Sequence, residues 1–121
     1  MDLSQLPEPM RARMAEQDAR PPLRRVRDLL QTYVLDAVDL DEIRADMSDT
    51  AGFSTFAARS LRQDLEALEW ALTADLPVGT LLHLVEDDAN FGLDDDPTDA
   101  GAAVFLRQIA DILREVLGPA R

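Results

Sequence analysis

Seven carboxylates fall between Glu86 and Asp99 with no base among them: Glu86, Asp87, Asp88, Asp94, Asp95, Asp96 and Asp99. The next cation along the chain is Arg107. Carboxylates at this density can bind a hard cation, trade protons in catalysis, or meet a basic partner. The calcium reading is testable by register. A helix–loop–helix calcium loop needs oxygen donors at positions 1, 3 and 5, Gly at 6 and Glu at 12. Setting Gly92 at position 6 puts Ala89 at 3, Phe91 at 5 and Thr98 at 12, so the pattern fails at three points and only an irregular, weak calcium site remains open. His83 and Glu86 stand one turn apart and could begin a carboxylate–histidine metal site. There is no second histidine and no cysteine to complete one, so His83 is expected to be a half-buried structural residue. No metal or other cofactor is expected.

Catalysis finds little support. With no cysteine, one histidine and no glycine-rich phosphate loop, only carboxylates could act, and they are too widespread for one pair to stand out. A small metal-dependent enzyme using His83 and nearby acids is the weakest reading, and a non-enzymatic protein is the expectation. Association with a basic protein is the strongest. Like charges so close repel, and a helix N-terminus offsets only the two acids that would sit at one, Asp96 and Asp99. A basic partner would stabilise the remainder. Phe91 and Leu93, flanked by acids, are the candidate apolar anchors. The expected partner-binding surface is therefore Glu86, Asp87, Asp88, Phe91, Leu93, Asp94, Asp95, Asp96 and Asp99. The plainer alternative is a solvated acidic loop that only keeps the domain soluble.

The charge of the whole chain points the same way. Twenty-four acids face twelve bases, for a formal net charge of −12, and every base is Arg. The imbalance is uneven: residues 1–30 hold five acids and six Arg, residues 31–121 nineteen acids and six Arg. Such a surface repels nucleic acid and attracts basic partners. Arg24, Arg25 and Arg27 form one small basic cluster, expected to pair with nearby acids or to face solvent. No stretch approaches the roughly 18 apolar residues of a membrane span. The N-terminus has no signal-like apolar run, so a cytoplasmic location is the expectation. Whether the chain is a monomer or a dimer is left open.

The elements that must position these acids are helical. Phe53 to Asp75 carries Phe56, Leu61, Leu65, Leu68 and Leu72 at helical spacing, with Ser54 or Thr55 as cap and Pro77 as stop. Its polar side, including Gln63, Asp64 and Glu66, reads as solvated surface. Pro21-Pro22 opens an earlier helix with Leu23, Val26, Leu29, Leu30, Tyr33, Val34 and Ala37 on one face. Asp39 and Glu42 form a capping-box variant, with Val38 and Ile43 placed for a hydrophobic staple. They start a short helix over about Leu40–Met47 that Ser48-Asp49-Thr50-Ala51-Gly52 ends. Thr80 caps a two-turn helix through Asp88. Asp96 as cap and Pro97 at the first helical position open the last helix, which Gly118-Pro119 stops. The expected fold is all-α: an antiparallel bundle of three long helices plus one or two short connecting ones, over residues 21–121, preceded by an arm at 1–20.

Two blocks carry a resemblance. LRRVRDLLQTYVLDAVDLDEI is a first helix turning into a short acidic second one. LLHLVEDDANFGLDDDPTDAGAAVFLRQIADIL is an acidic loop between a short apolar helix and the last helix. In this layout the chain resembles the small acidic helical immunity proteins of the colicin D immunity and contact-dependent-inhibition type. The resemblance implies a bacterial protein that binds a basic nuclease toxin and covers its active site. The runner-up is a structural or adaptor bundle that assembles through an apolar helix face.

Overall fold

The structure, a computed structural model, describes Pro9 and residues 20–118. The expected arm at 1–20 thus lies outside the described residues except for Pro9 and Arg20. Five helices and no strand make up the described residues: α1 Pro22–Tyr33, α2 Leu40–Phe53, α3 Thr55–Thr73, α4 Thr80–Leu82, and α5 Asp99–Leu117. A single π-helical stretch, His83–Asp88, continues α4 without a break. The fold is all-α, with three longer helices, α2, α3 and α5, packed with α1 and the short α4. None of these helices is long and apolar enough to cross a membrane.

Helix α3 is the scaffold that its apolar stripe implied. It packs against α1, α2 and α5, burying Leu61, Ala67, Leu68 and Ala71. Leu65 and Leu72 flank this stripe and pack on the core from partly exposed positions. Ser54 is its cap, accepting from the Ala57 amide at 3.0 Å. The helix ends at Thr73, four residues before Pro77, with Ala74 in extended geometry. The chain then leaves the helix early enough for Leu76 to reach the core.

Helix α2 is longer than its punctuation suggested. It runs through Ser48-Asp49-Thr50-Ala51-Gly52 to Phe53. Gly in a helix costs about 1 kcal/mol relative to Ala. Burying a side chain such as Ile43 or Met47 gains about 1.5–3 kcal/mol each, and both are fully buried. Ala51 adds a further core contact from within the supposed break. Thr50 is also held, accepting from the Tyr33 hydroxyl at 2.9 Å and donating to the Asp46 carbonyl at 3.0 Å. Asp39 caps the helix, accepting from the Glu42 amide at 2.9 Å, while Glu42 reaches back to the Val38 amide at 3.0 Å. The hydrophobic staple does not form: Val38 is 84% exposed while Ile43 lies in the core.

The other departure is polar. Arg25 is 5% exposed and crosses to α3, donating to Asp64 at 2.7 Å and to Gln63 at 2.9 Å. The Asp64 side chain is itself only 14% exposed, so this part of α3 is interface and not solvated surface. Arg24 and Arg27 remain exposed on α1, so the basic cluster is divided. Burial pushes the Asp64 carboxyl above its ordinary value, and the hydrogen bond and charge of Arg25 only partly offset that. The folded protein therefore holds this proton to higher pH than the unfolded chain. The group's stabilising effect is complete below the ordinary value of 3.8 and is lost as pH rises through the raised folded value. Removing one partner of a buried pair leaves an uncompensated charge. We expect Arg25→Met to lower the unfolding free energy in urea by about 3 kcal/mol, and Arg25→Met with Asp64→Leu to recover most of that loss.

Candidate functional site

The acidic stretch begins in the π-helical turn. Leu84, Val85 and Ala89 are buried there, which fixes the inward face of the turn and leaves the acids outward. The Ala89 amide donates to the Leu84 carbonyl at 3.1 Å, the i→i+5 bond of a widened turn. This widening places residues four and five positions on beside the same ring. His83 Nδ1 lies 2.7 Å from Asp87 Oδ2, and His83 Nε2 lies 3.6 Å from Asp88 Oδ1. Glu86, the partner suggested by the one-turn spacing, takes no part in this contact. The His83 side chain is 63% exposed, so it is a surface residue and not the half-buried one expected. Among the described residues no group of three His, Asp or Glu side chains converges in a way that could hold a metal ion.

Asn90, at φ 51°, then turns the chain in the left-handed region that Asn tolerates better than most residues. The Phe91 amide donates back to the Val85 carbonyl at 3.0 Å. The Phe91 ring stacks on Phe105 of α5, with centroids 4.3 Å apart and planes 19° apart. Leu93 also packs against the core from a half-buried position. Both proposed anchors are therefore committed to this protein's own packing, each keeping one side accessible.

Asp99 has a different task. Its carboxylate accepts from the Gly79 amide at 2.6 Å and the Leu82 amide at 3.0 Å. These are donors left unpaired at the start of α4. Thr80, the expected cap, instead donates to the Pro77 carbonyl at 2.7 Å. Gly79 stands at the cap position with φ 91°, a backbone that residues with a Cβ seldom adopt. The α5 start also shifts by two residues. Thr98 is its cap, accepting from the Gly101 amide at 3.2 Å, and Pro97 lies outside the helix. Asp96 accepts from the Thr98 hydroxyl at 2.6 Å instead of capping.

The structure thus divides the nine expected residues. Glu86, Asp87 and Asp88 belong to the π-helical turn beside His83, and Asp99 is an internal clasp. Asp94, Asp95 and Asp96, all exposed, stand with Phe91 and Leu93 around one groove of about 310 Å³. Phe105, Val104 (54% exposed), Gln108 and Leu40 of α2 also line it. The outward position of Val104 on α5 is what makes it part of a site. Sequence reading missed Gly101. A Cβ there would collide with the Asp96 carbonyl, so glycine is what lets the acidic loop lie against the first turn of α5. Among the described residues no ion pair involves Asp94, Asp95 or Asp96, whereas Asp28, Asp41, Asp64, Asp111 and Glu115 each pair with an arginine.

Comparison with known protein families, curated proteins and solved structures finds no match to this chain.

The two amide bonds hold the Asp99 carboxyl below its ordinary value. Its stabilising effect is therefore complete above the unfolded value, near 3.8, and is lost as pH falls through the depressed folded value. Asp99→Asn should lower the melting temperature at pH 7, and the gap from the unsubstituted protein should narrow in melts at pH 3. Gly101→Ala should shift amide resonances across residues 94–98 while leaving those of α1 in place, because the Asp96 backbone must withdraw.

Proposed function

We propose that this chain is a non-enzymatic, acidic inhibitor that binds a basic protein, most concretely an immunity protein that neutralises a nuclease-type toxin by covering its active site. One observation carries this reading. Three consecutive exposed carboxylates, Asp94 to Asp96, stand at the edge of an apolar groove without an ion pair among the described residues, in a chain of net charge −12. Unpaired charge speeds encounter with an oppositely charged partner and selects against wrong ones. Apolar contacts in a desolvated centre supply most of the affinity. Here the two kinds of contact lie side by side. A nuclease presents a cationic surface where it holds phosphates, and carboxylates compete for that surface. The resemblance of the acidic segment to the helical immunity proteins points to the same partner class.

The acids near His83 serve this reading less directly. Asp87 already has the imidazole as a neighbour, and Asp88 is half-buried, with its carbonyl accepting from the Gln31 side chain at 3.4 Å. They add to the negative field over this end of the bundle more than to a contact surface.

The test is a captured basic partner and a triple substitution. Asp94→Asn with Asp95→Asn and Asp96→Asn removes three charges from exposed positions and leaves an acceptor at Asp96 for Thr98. The expected result is an unchanged circular dichroism melt, affinity for the partner at least tenfold weaker at low salt, and a shallower dependence of affinity on salt. An affinity and salt dependence equal to those of the unsubstituted protein would sink the proposal.

A further inference from the structure

The acidic end of the molecule is concave, and its floor is apolar. We infer that the groove over Phe91 and Val104 is a receptor for one protruding apolar side chain of the partner, flanked on the partner's surface by arginine or lysine. This deepens the reading above and rests on it for the partner's charge. It gives Phe91 and Leu93, the candidate apolar anchors, the part of groove wall.

Three features lead to this. First, Phe91 is not free to project. Its ring is stacked on Phe105 and its amide is bonded to Val85, so it presents a fixed face to the groove. A preorganised apolar surface loses little side-chain entropy on binding. Second, size limits the occupant. Ligand pockets run from roughly 300 to 1,000 Å³, and this groove, at about 310 Å³, is at the bottom of that range. That is room for a large apolar side chain together with part of the backbone that carries it. Third, the rim selects the neighbours of that side chain. Asp94, Asp95 and Asp96 are exposed and, among the described residues, without ion pairs. A cation on each side of the inserted residue would meet them with little rearrangement. A second copy of this chain fits poorly, because it would bring another net charge of −12 against the same rim.

The experiment uses two fluorescein-labelled peptides and the whole chain. One peptide has a leucine between two pairs of arginines, and the other has glycine in place of that leucine. Anisotropy titrations are run with the unsubstituted protein, with Val104→Glu, and with Asp94, Asp95 and Asp96 all changed to Asn. Val104 is exposed, so glutamate is tolerated there; thermal melts check this, and Val104→Gln serves as a second floor variant. The leucine peptide should bind the unsubstituted protein about tenfold tighter than the glycine peptide, equivalent to about 1.4 kcal/mol. Val104→Glu should erase that preference even though it adds a negative charge, and Val104→Gln should erase it without one. The triple substitution should weaken both peptides. Equal binding of the two peptides, with Val104 variants inert and the triple variant weakened, overturns the receptor groove and leaves the acidic reading standing. Insensitivity of both peptides to the triple substitution overturns both. A concentration-dependent dimer, abolished by Val104→Glu and excluding the peptide, overturns the inference in favour of a second copy.

Discussion

One carboxylate ties together the end of the bundle that carries the acids. Asp99 lies in the first turn of α5, yet it satisfies the amides of Gly79 and Leu82 at the start of α4. A charged acceptor shared by two backbone donors is among the stronger hydrogen-bonding arrangements. It closes residues 79–99 into a loop with both ends fixed. Within that loop Leu84, Val85 and Ala89 face inward and Phe91 stacks on Phe105. Once those positions are set, the remaining acids have nowhere to go but out. The concentration of negative charge on this surface is thus a consequence of how the loop is anchored.

The second polar tie, Arg25 to Asp64, joins α1 to α3. A buried ion pair gains Coulomb energy but gives up hydration, and the two are close to balance. We read this pair as a device that decides which faces of α1 and α3 meet, more than one that adds to stability. Apolar burial holds the bundle. Its core is mainly Leu, Ala, Val and Ile, with Phe105 and Met47 as its larger irregular members. A core of such residues fills by helix-to-helix contact along the stripes of α1, α2, α3 and α5, which is why no strand is needed among the described residues.

The fold separates these two economies of charge. Along α1, α2 and α5 most acids near an arginine pair with it: Asp28 with Arg20, Asp41 and Glu115 with Arg44, Asp111 with Arg114. The loop before α5 is different, because among the described residues no arginine pairs with Asp94, Asp95 or Asp96. Gly101 allows that loop to lie close against α5, where Asp94 to Asp96 border an apolar groove. Charge and apolar surface lie side by side here, and among the described residues no ion pair neutralises Asp94, Asp95 or Asp96.

Local pattern alone pointed to the fold class, the apolar stripes of α1 and α3, the Asp39 cap, a choice of Ser54 or Thr55 as the α3 cap, and the density of acids between Glu86 and Asp99. These are local properties: spacing of apolar residues, short polar side chains before a helix, and count of charges need no distant partner. What sequence could not supply was set by contacts far along the chain. The Ser48–Gly52 stretch reads as a break, but buried Ile43 and Met47 and the core contact of Ala51 carry α2 through it. Asp64 reads as surface because it sits among polar neighbours, and Arg25 reads as either paired with an acid or solvent-facing; they become a buried pair only when α1 and α3 pack. Asp99 reads as one acid among seven, and its role depends on amides twenty and seventeen residues away. The groove is also tertiary, since Val104, Phe91 and Leu40 share no local pattern. Periodicity encodes which face of a helix is buried, while only packing decides what that face, and the polar side chains beside it, will meet.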